Sequence, residues 1–419
     1  MRAIDWDAGT IRIIDQTLLP GEEKVLTLAS TAALADAIRS LKVRGAPALG
    51  IAGAMGVAQA ASRSQAATTQ GVVRDAEAAG RELAATRPTA VNLAWAIDRV
   101  LKLARDRAKD VDKDKLVVLL EEEAQRIAQE DANACLAMAR NTQRFIPTKA
   151  VVLTHCNTGF LCTGGYGTAL GAIRVAHEDG KEIAVLATET RPLLQGARLT
   201  SWELGKLGIP HALIADGAAA GLIARGEVKV VVVGADRIAA NGDVANKVGT
   251  LGLALAANDA KIPFIVVAPT TTIDLSVPNG ARIPIEERSA SEVTSVLGHP
   301  VAPAGTYAVN PAFDITPARL ITAVVTETGV ATPPDVASIK RLATGGGSAP
   351  AASRRAAPKP PSRKPAAKKT AKKAATRPAA KKPAARPVAK KPGPKKAAAK
   401  PKKATAKPKK PAAKSGRKR

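Results

Sequence analysis

From residue 150 onward the sequence alternates between short apolar runs and longer amphipathic segments, and this alternation constrains the fold more than any other feature. The apolar runs are rich in Val, Ile and Leu and stand at residues 150–154, 183–187, 211–215, 228–233 and 263–267. The segments between them are long enough to be helices. Strands that alternate with helices form βαβ units around a buried parallel sheet. The predicted fold class is therefore α/β, with a Rossmann-like catalytic domain over residues 146–338.

The residues that follow these runs stand at the edge of the sheet where ligands bind in such folds. They include Cys156, residues 189–195, Asp216, Asp236 and Pro269. We therefore expect a binding site at the carboxyl ends of the strands.

Cys156 opens a glycine-rich loop that follows the first apolar run. Glycines at 159, 164, 165 and 167 keep this loop free before helical periodicity resumes at residue 169. A strand, an open loop and a helix start present amide groups and a positive dipole end to an anion. A thiol placed there can have a lowered pKa and act as a thiolate or a proton carrier. The stretch is equally consistent with Cys156 as one more small, buried apolar residue.

Asp236 stands at the end of the apolar run 228–233. Removal from water raises the pKa of a carboxyl toward the range that suits a general acid. A cap for a neighbouring loop is the alternative role. The segment 241–249 then predicts a turn and a helix start, with Asn246 and Lys247 side by side.

The first 145 residues predict a smaller, mostly helical domain with a β hairpin. Alternating apolar residues broken by a Pro-Gly pair predict the hairpin over residues 10–28, and Thr31 is the predicted N-cap of the helix that follows. Apolar residues at three- and four-residue intervals predict further helices at 70–85, 90–108 and 114–140.

Two arginines of this first domain stand just before predicted helices. Arg44 precedes Gly-Ala-Pro and a helix of small residues, so its guanidinium and the free amides could face a phosphate. An ordinary surface turn with an incidental arginine has the same pattern. Arg87 precedes a proline that can start a helix.

Several classes of function are disfavoured by what the sequence lacks. A dinucleotide fingerprint needs its glycines directly after the strand, whereas Gly165 comes eleven residues after Thr154. The histidines and cysteines do not cluster at metal-ligand spacing, and Gly-x-Ser-x-Gly is absent. We therefore expect no metal, no nicotinamide cofactor and no serine hydrolysis. Three cysteines do not make a disulfide framework, and the absence of a signal peptide or a membrane-length apolar run predicts a cytoplasmic protein.

The positive charge of the chain is concentrated in a C-terminal tail. The net charge is +27, yet from Arg341 onward there are 28 Lys or Arg and no Asp or Glu. The rest of the chain has 63 − 28 = 35 basic and 36 acidic residues, a net of −1. A Lys/Ala/Pro-rich segment over 339–419 has no aromatic residues and hardly a bulky apolar residue, so it cannot form a core, which predicts disorder. It should bind nucleic acid or polyphosphate by neutralising phosphates, unless it only aids solubility.

Several motifs, taken together, resemble the methylthioribose-1-phosphate isomerases, a family related to the alpha, beta and delta subunits of initiation factor 2B. The resemblance covers about residues 1–335, and its motifs are Arg44-Gly-Ala-Pro47, Arg87-Pro-Thr-Ala-Val-Asn-Leu93, Thr154-His-Cys-Asn-Thr-Gly159, Gly167-Thr-Ala-Leu-Gly171, the segment 189–199, the segment 234–247 and Asn310-Pro-Ala-Phe-Asp-Ile-Thr316.

The resemblance implies an aldose–ketose isomerase of methionine salvage, which converts 5-methylthioribose 1-phosphate to 5-methylthioribulose 1-phosphate. It implies Asp236 as the proton donor and Cys156 as the second catalytic group. It also implies a homodimer that needs no cofactor. The implied substrate-binding residues are Arg44, Gly45, Ala46, Arg87, Gln195, Asn246 and Lys247.

Departures from the family pattern bear on fine specificity. The loop 160–164 has larger residues near its start, Thr188 replaces a common acid, and Leu251 replaces a usual aromatic. The alternatives are therefore an isomerase of a related sugar, such as 5-deoxyribose 1-phosphate, and a non-catalytic regulatory relative of the same fold. The presence of both Cys156 and Asp236 argues against the regulatory alternative.

Overall fold

The computed structural model describes residues 2–345, which all belong to one compact unit. The chain begins with a three-stranded antiparallel sheet, whose strands are β1 (Ile4–Asp7), β2 (Thr10–Ile14) and β3 (Val25–Leu28). The hairpin predicted over residues 10–28 is present as β2 and β3. It gains β1 because Ile4 is buried and pairs with Ile13.

Five helices follow this sheet and form the helical part of the unit. They are α1 (Thr31–Arg39), α2 (Ala46–Ser62), α3 (Thr69–Ala84), α4 (Val91–Arg107) and α5 (Lys113–Thr142). The three helices predicted after residue 70 are confirmed within one or two residues. The prediction that Thr31 is the N-cap of α1 is wrong by one position, because the hydroxyl of Ser30 accepts the hydrogen bond from Ala33 N at 3.1 Å.

The remaining elements build two sheets and their covering helices. In chain order they are β4 (Lys149–Thr154), α6 (Ala169–Glu178), β5 (Glu182–Thr188), α7 (Ser201–Lys206), β6 (His211–Ile214), α8 (Ala219–Ala224), β7 (Val230–Val233), β8 (Arg237–Ala239), β9 (Val244–Lys247), α9 (Thr250–Asp259), β10 (Phe264–Val267), β11 (Ile273–Asp274), α10 (Ser291–Thr294), β12 (Ser295–Val296), β13 (His299–Pro300), β14 (Phe313–Thr316), β15 (Ala323–Thr326), β16 (Gly329–Ala331) and α11 (Val336–Ala343).

The main sheet has the order β16-β15-β10-β7-β4-β5-β6, and all its neighbours are parallel except β15 and β16. The α/β fold class and its five predicted parallel strands are thereby confirmed. The chain runs from β4 outward through β5 to β6, and then returns to the other side of β4 to start β7. This reversal is the topological switch point of a doubly wound sheet, where the ends of the two flanking strands leave a crevice.

A second sheet of four strands, in the order β11-β8-β9-β14, stands beside this crevice and corrects one prediction. Residues 241–249 were expected to form a turn and a helix start, whereas Val244–Lys247 is a strand. Its residues pair with β14, with Asn246 opposite Asp314, and Val244 is fully buried. The helix begins only at Thr250.

Helix α5 ties the helical part to the main sheet. Its first half packs Leu116, Leu120 and Ile127 in the helical core, and its second half packs Cys135 and Met138 against the sheet. The predicted boundary at residue 145 stays a prediction. Within residues 2–345, no helix is both long and apolar enough to cross a membrane.

The last helix, α11, runs to Ala343 and so extends past the predicted end of the catalytic domain at residue 338. Ile339 and Leu342 are buried in the core beneath the main sheet, so the folded body reaches at least to residue 345. The rest of the predicted disordered segment 339–419, from residue 346 to the end, lies outside the described residues.

Candidate active site

One cavity of about 130 Å³ lies at the switch point, beyond the ends of β4 and β7. All nine residues that the resemblance assigned to binding or catalysis lie on its wall: Arg44, Gly45, Ala46, Arg87, Cys156, Gln195, Asp236, Asn246 and Lys247. They come from α2 and the loop before α4, the ends of the main strands, and β9. The structure thus brings the whole predicted set together, while the role of each residue stays a prediction.

The N-terminal end of α2 forms one corner of the cavity. Gly45 is the N-cap residue, no side chain caps this end, and Pro47 stands within the first turn. Gly45 has φ +94°, and an added Cβ would lie 2.2 Å from the Cβ of Cys162, so only glycine fits. An uncapped helix end directs amide groups and positive dipole charge at a ligand, which suits a phosphate.

Arg44 and Lys247 add positive charge to the cavity. Arg44 donates through Nε to Gln16 Oε1 at 3.0 Å and through its guanidinium to the side-chain oxygen of Asn157. Lys247 donates to the carbonyl of Ala312 at 2.9 Å. Among residues 2–345 neither side chain has a carboxylate partner, so both charges are available to an anion.

Two buried polar atoms in the cavity lack hydrogen-bond partners among the described residues. They are Nε of Arg87, a donor, and Oε1 of Gln195, an acceptor. Another nitrogen of Arg87 is held by Glu286 at 2.9 Å, which fixes the guanidinium in place. Buried groups of this kind normally have partners, so these two atoms are candidates for hydrogen bonds to a ligand.

Asp236 projects from the loop between β7 and β8. Burial raises the pKa of its carboxyl, and the nearby positive charges of Lys247, Arg87 and Arg44 only partly oppose this effect. The direction agrees with the prediction from the apolar strand before it. A carboxyl that keeps its proton to higher pH can donate that proton to a substrate oxygen.

Cys156 follows β4 in a left-handed backbone conformation, with φ +61°. Its amide donates to Thr190 Oγ1 at 2.9 Å, which helps to hold this strained position. Of the two alternatives that the sequence left open for Cys156, the lowered pKa is not supported, because burial raises the pKa of the thiol despite the nearby Arg44 and Lys247. This direction favours the thiol form of Cys156 over the thiolate.

Two residues that sequence reasoning did not select organise the loop after Cys156. Asn157 lines the cavity and accepts from Arg44 through its side-chain oxygen. Glu203, on α7, is completely buried behind this loop and accepts from Asn157 Nδ2 at 2.7 Å. Asn157 could have been chosen from its place beside Cys156, whereas nothing in the sequence distinguishes Glu203 from a surface glutamate.

Of the other positions that drew notice in the sequence, Pro269 lines the cavity, whereas Asp216, Glu189 and Leu251 do not. Asp216 accepts from the amides of Thr190 and Arg191 and so orders the turn after β5. Leu251 packs against the core on one face of the main sheet.

Ionisation of Glu203 is expected to lower the stability of the fold as pH rises. Burial raises the pKa of Glu203 from 4.5 to about 7, so between these values the folded protein keeps a proton that the unfolded chain releases. The free energy of unfolding should therefore fall through this window, by about 3 kcal/mol in total. Denaturation of the unmodified protein and Glu203→Gln between pH 4.5 and 8 checks this. A stability difference between the two that does not change with pH would contradict it.

Comparison with known proteins places this chain in a family. The initiation factor 2 subunit family matches residues 42–333. The chain is 53% identical to the methylthioribose-1-phosphate isomerase of Geobacter sulfurreducens over 341 residues, which cover 81% of this chain and 98% of the relative. It is also 53% identical to the enzyme of the same name from Pelotomaculum thermopropionicum, over 80% of this chain and 92% of that one.

Solved structures agree with these sequence matches. The 5-methylthioribose 1-phosphate isomerase of Pyrococcus horikoshii superposes with a TM-score of 0.77 at 43% identity, covering 81% of this chain and 95% of that chain. A protein described as translation initiation factor eIF-2B, subunit delta, from A. fulgidus gives a TM-score of 0.73 at 42% identity, with 81% and 99% coverage. The chain belongs to the initiation factor 2 subunit family and, within it, to the methylthioribose-1-phosphate isomerases.

Proposed function

We propose that this protein is an aldose–ketose isomerase of methionine salvage that converts 5-methylthioribose 1-phosphate to 5-methylthioribulose 1-phosphate. The observation that carries the proposal is the cavity itself. It combines a carboxyl of raised pKa, a buried thiol and two unpaired cations beside an uncapped helix end. The cations and the helix end suit the binding of a sugar phosphate, and the carboxyl and the thiol suit an internal hydrogen transfer.

The phosphate fits the corner formed by the N-terminal end of α2. The amides of this first turn, the guanidinium of Arg44 and the ammonium of Lys247 can share its negative charge. The unpartnered Nε of Arg87 can donate to a phosphate or sugar oxygen, and Oε1 of Gln195 can accept from a sugar hydroxyl. Asn246, at the end of β9, supplies a further amide.

The chemistry begins with ring opening. The anomeric oxygen of an aldose 1-phosphate is esterified, so the ring cannot open as a free hemiacetal does. Asp236 gives its proton to the ring oxygen, and the bond between that oxygen and C1 breaks, which leaves C1 electron-deficient. The hydrogen on C2 then moves to C1, and the C2 hydroxyl becomes the ketone by returning its proton to the Asp236 carboxylate.

The hydrogen can reach C1 by two paths. In one, the thiolate of Cys156, formed after its thiol has lost a proton, removes the hydrogen from C2 as a proton and returns it to C1 through an enol. In the other, it moves directly as hydride while the thiol and the low-polarity wall stabilise the cation. The raised pKa of Cys156 favours the hydride path, because that path needs no resident thiolate.

Turnover of two sugars tests the proposal. Protein incubated with 5-methylthioribose 1-phosphate or 5-deoxyribose 1-phosphate, and followed for ketose formation, should convert the methylthio sugar with the higher kcat/KM. Preference for the deoxy sugar would reassign the substrate. No turnover of either sugar would support a regulatory relative of the same fold instead.

Removal of either unpaired cation is expected to weaken substrate binding. Arg44→Ala or Lys247→Ala should each remove a charge-assisted contact worth ~1.5–3 kcal/mol. This loss corresponds to an increase of KM by roughly 10- to 150-fold. Steady-state kinetics measure this effect. Arg282→Ala and Lys229→Ala remove exposed cations outside the cavity and serve as matched controls. Unchanged KM in both cavity variants would remove these residues from the phosphate site.

The basic tail, the location and the oligomeric state are separate proposals. We propose that the segment from residue 346 onward binds polyanions, since it holds nearly all the excess charge. Three free, buried cysteines fit a cytoplasmic location, where disulfides are rare. The family resemblance supports a homodimer, which sedimentation would detect as a mass of twice 43.0 kDa.

Deletion of residues 346–419 is expected to abolish DNA retention and leave isomerase activity within a few-fold of the intact protein. The remaining body is close to neutral, and DNA binding by the intact protein should weaken steeply between low and moderate salt. Electrophoretic mobility shifts at two salt concentrations check this. DNA binding by the truncated body, or binding that ignores salt, would contradict it.

A further inference from the structure

Glu203 is the most completely buried carboxyl beside the cavity, yet it does not line the cavity. It is on α7, behind the loop that follows Cys156, and no part of it is exposed. Its two oxygens accept from Asn157 Nδ2 at 2.7 Å, from Phe160 N at 2.7 Å and from Leu161 N at 3.4 Å. Three donors on one loop therefore meet a single carboxylate.

The loop is shaped around this carboxylate. Gly159 passes so close that an added Cβ would lie 2.0 Å from Oε2 of Glu203, so a side chain there would displace the carboxylate. Substituting a group that cannot accept all three hydrogen bonds would leave at least one buried N–H unsatisfied, which is costly.

The carboxylate also helps to set which way the amide of Asn157 points, because Nδ2 of Asn157 donates to Glu203 at 2.7 Å and to the Thr200 hydroxyl at 3.3 Å. An ionised carboxylate can only accept, so it must face the NH₂ group of Asn157 rather than its oxygen. The side-chain oxygen of Asn157 is thereby turned toward Arg44, whose guanidinium donates to it. On its other side Arg44 is held by Oε1 of Gln16.

We propose that Glu203 is a positioning residue for phosphate capture, acting through Asn157 to hold Arg44 in its binding orientation. The inference rests on the proposed function, in which Arg44 binds the phosphate of the substrate. Loss of the carboxylate removes the shorter of the two hydrogen bonds that orient the Asn157 amide, and a reversed amide presents its NH₂ group to a guanidinium that also only donates. Arg44 then loses the side-chain oxygen that holds it at the cavity.

Binding of inorganic phosphate tests this directly, because it reports on the phosphate site without any turnover. At pH 8, calorimetry should give a Kd for Glu203→Gln at least ~10-fold above that of the unmodified protein. KM for the sugar phosphate should rise in parallel, and kcat should change by less than ~3-fold. Glu123→Gln is the matched control, since Glu123 is a buried glutamate paired with Arg99 away from the cavity.

A double-mutant cycle separates this role from a merely structural one. Asn157→Ala should weaken phosphate binding about as much as Glu203→Gln, and the double variant should be little weaker than either single variant. Independent, additive losses would overturn the inference, as would an unchanged Kd in either single variant. If Glu203→Gln does not fold, an unchanged Kd in Asn157→Ala still overturns it. Absence of phosphate binding by the unmodified protein would overturn the phosphate site, and this inference with it.

Discussion

Asp236→Asn is expected to lower kcat by at least ~10²–10⁴-fold while the protein stays folded and binds substrate. Asparagine keeps the shape of the side chain and a hydrogen bond, but it has no proton to give to the ring oxygen. Steady-state kinetics with 5-methylthioribose 1-phosphate measure the loss. Asp259→Asn, which changes an exposed aspartate at the end of α9, is the matched control. A kcat within a few-fold of normal would remove Asp236 as the general acid.

The same prediction has a signature in the pH profile. Burial raises the pKa of Asp236, and a general acid works only while it holds its proton. The rate of the unmodified enzyme should therefore fall as pH rises through that raised pKa. This decrease at high pH should be absent from the residual activity of Asp236→Asn, because the titrating carboxyl is gone.

Cys156→Ser is the second change with a large expected effect, a kcat loss of about 10²-fold or more. Serine keeps a small polar group, but its oxygen is a far weaker acid and less polarisable than sulfur. Cys135→Ser is the matched control, because Cys135 is also buried and free but lies outside the cavity, and it should lose no more than a few-fold. Full activity in Cys156→Ser would contradict a role for the thiol.

Asp236 and Cys156 serve one reaction, so their losses should not multiply. Once either step is blocked, removal of the other group has little left to impair. The double variant should therefore be about as slow as the slower single variant. A loss equal to the product of the two single losses would indicate that the two groups contribute independently to one rate-limiting transition state.

Much of the fold and the site follows from local patterns in the sequence. The strands β4 and β7 are easy to recognise in the sequence, because strands buried on both faces are apolar throughout. Each strand is followed by a candidate catalytic residue, Cys156 or Asp236, and the doubly wound order brings the two strand ends to one crevice. The raised pKa of Asp236 also follows from its position after a buried strand.

The rest depends on contacts between residues that are far apart in the chain. The sequence around Val244–Lys247 predicts a turn and a helix start rather than a strand, because the residues of β14 that pair with it lie 66 to 72 positions later. The pKa of Cys156 depends on how completely the folded protein excludes water from the thiol, which no local pattern records. Glu203 matters only because α7 packs behind the loop after β4, a contact that spans more than 40 residues.

A single-turnover experiment is the sharpest test that Asp236 and Cys156 carry out the isomerisation, because it separates substrate binding from chemistry at this cavity. Enzyme in excess over 5-methylthioribose 1-phosphate is quenched at intervals, and the ketose formed is measured for the unmodified protein, Asp236→Asn and Cys156→Ser. We expect complete conversion by the unmodified protein, and near-normal substrate affinity with conversion slowed at least ~10²-fold in both variants. Conversion at the normal rate in either variant, or no conversion by the unmodified protein, would contradict this expectation.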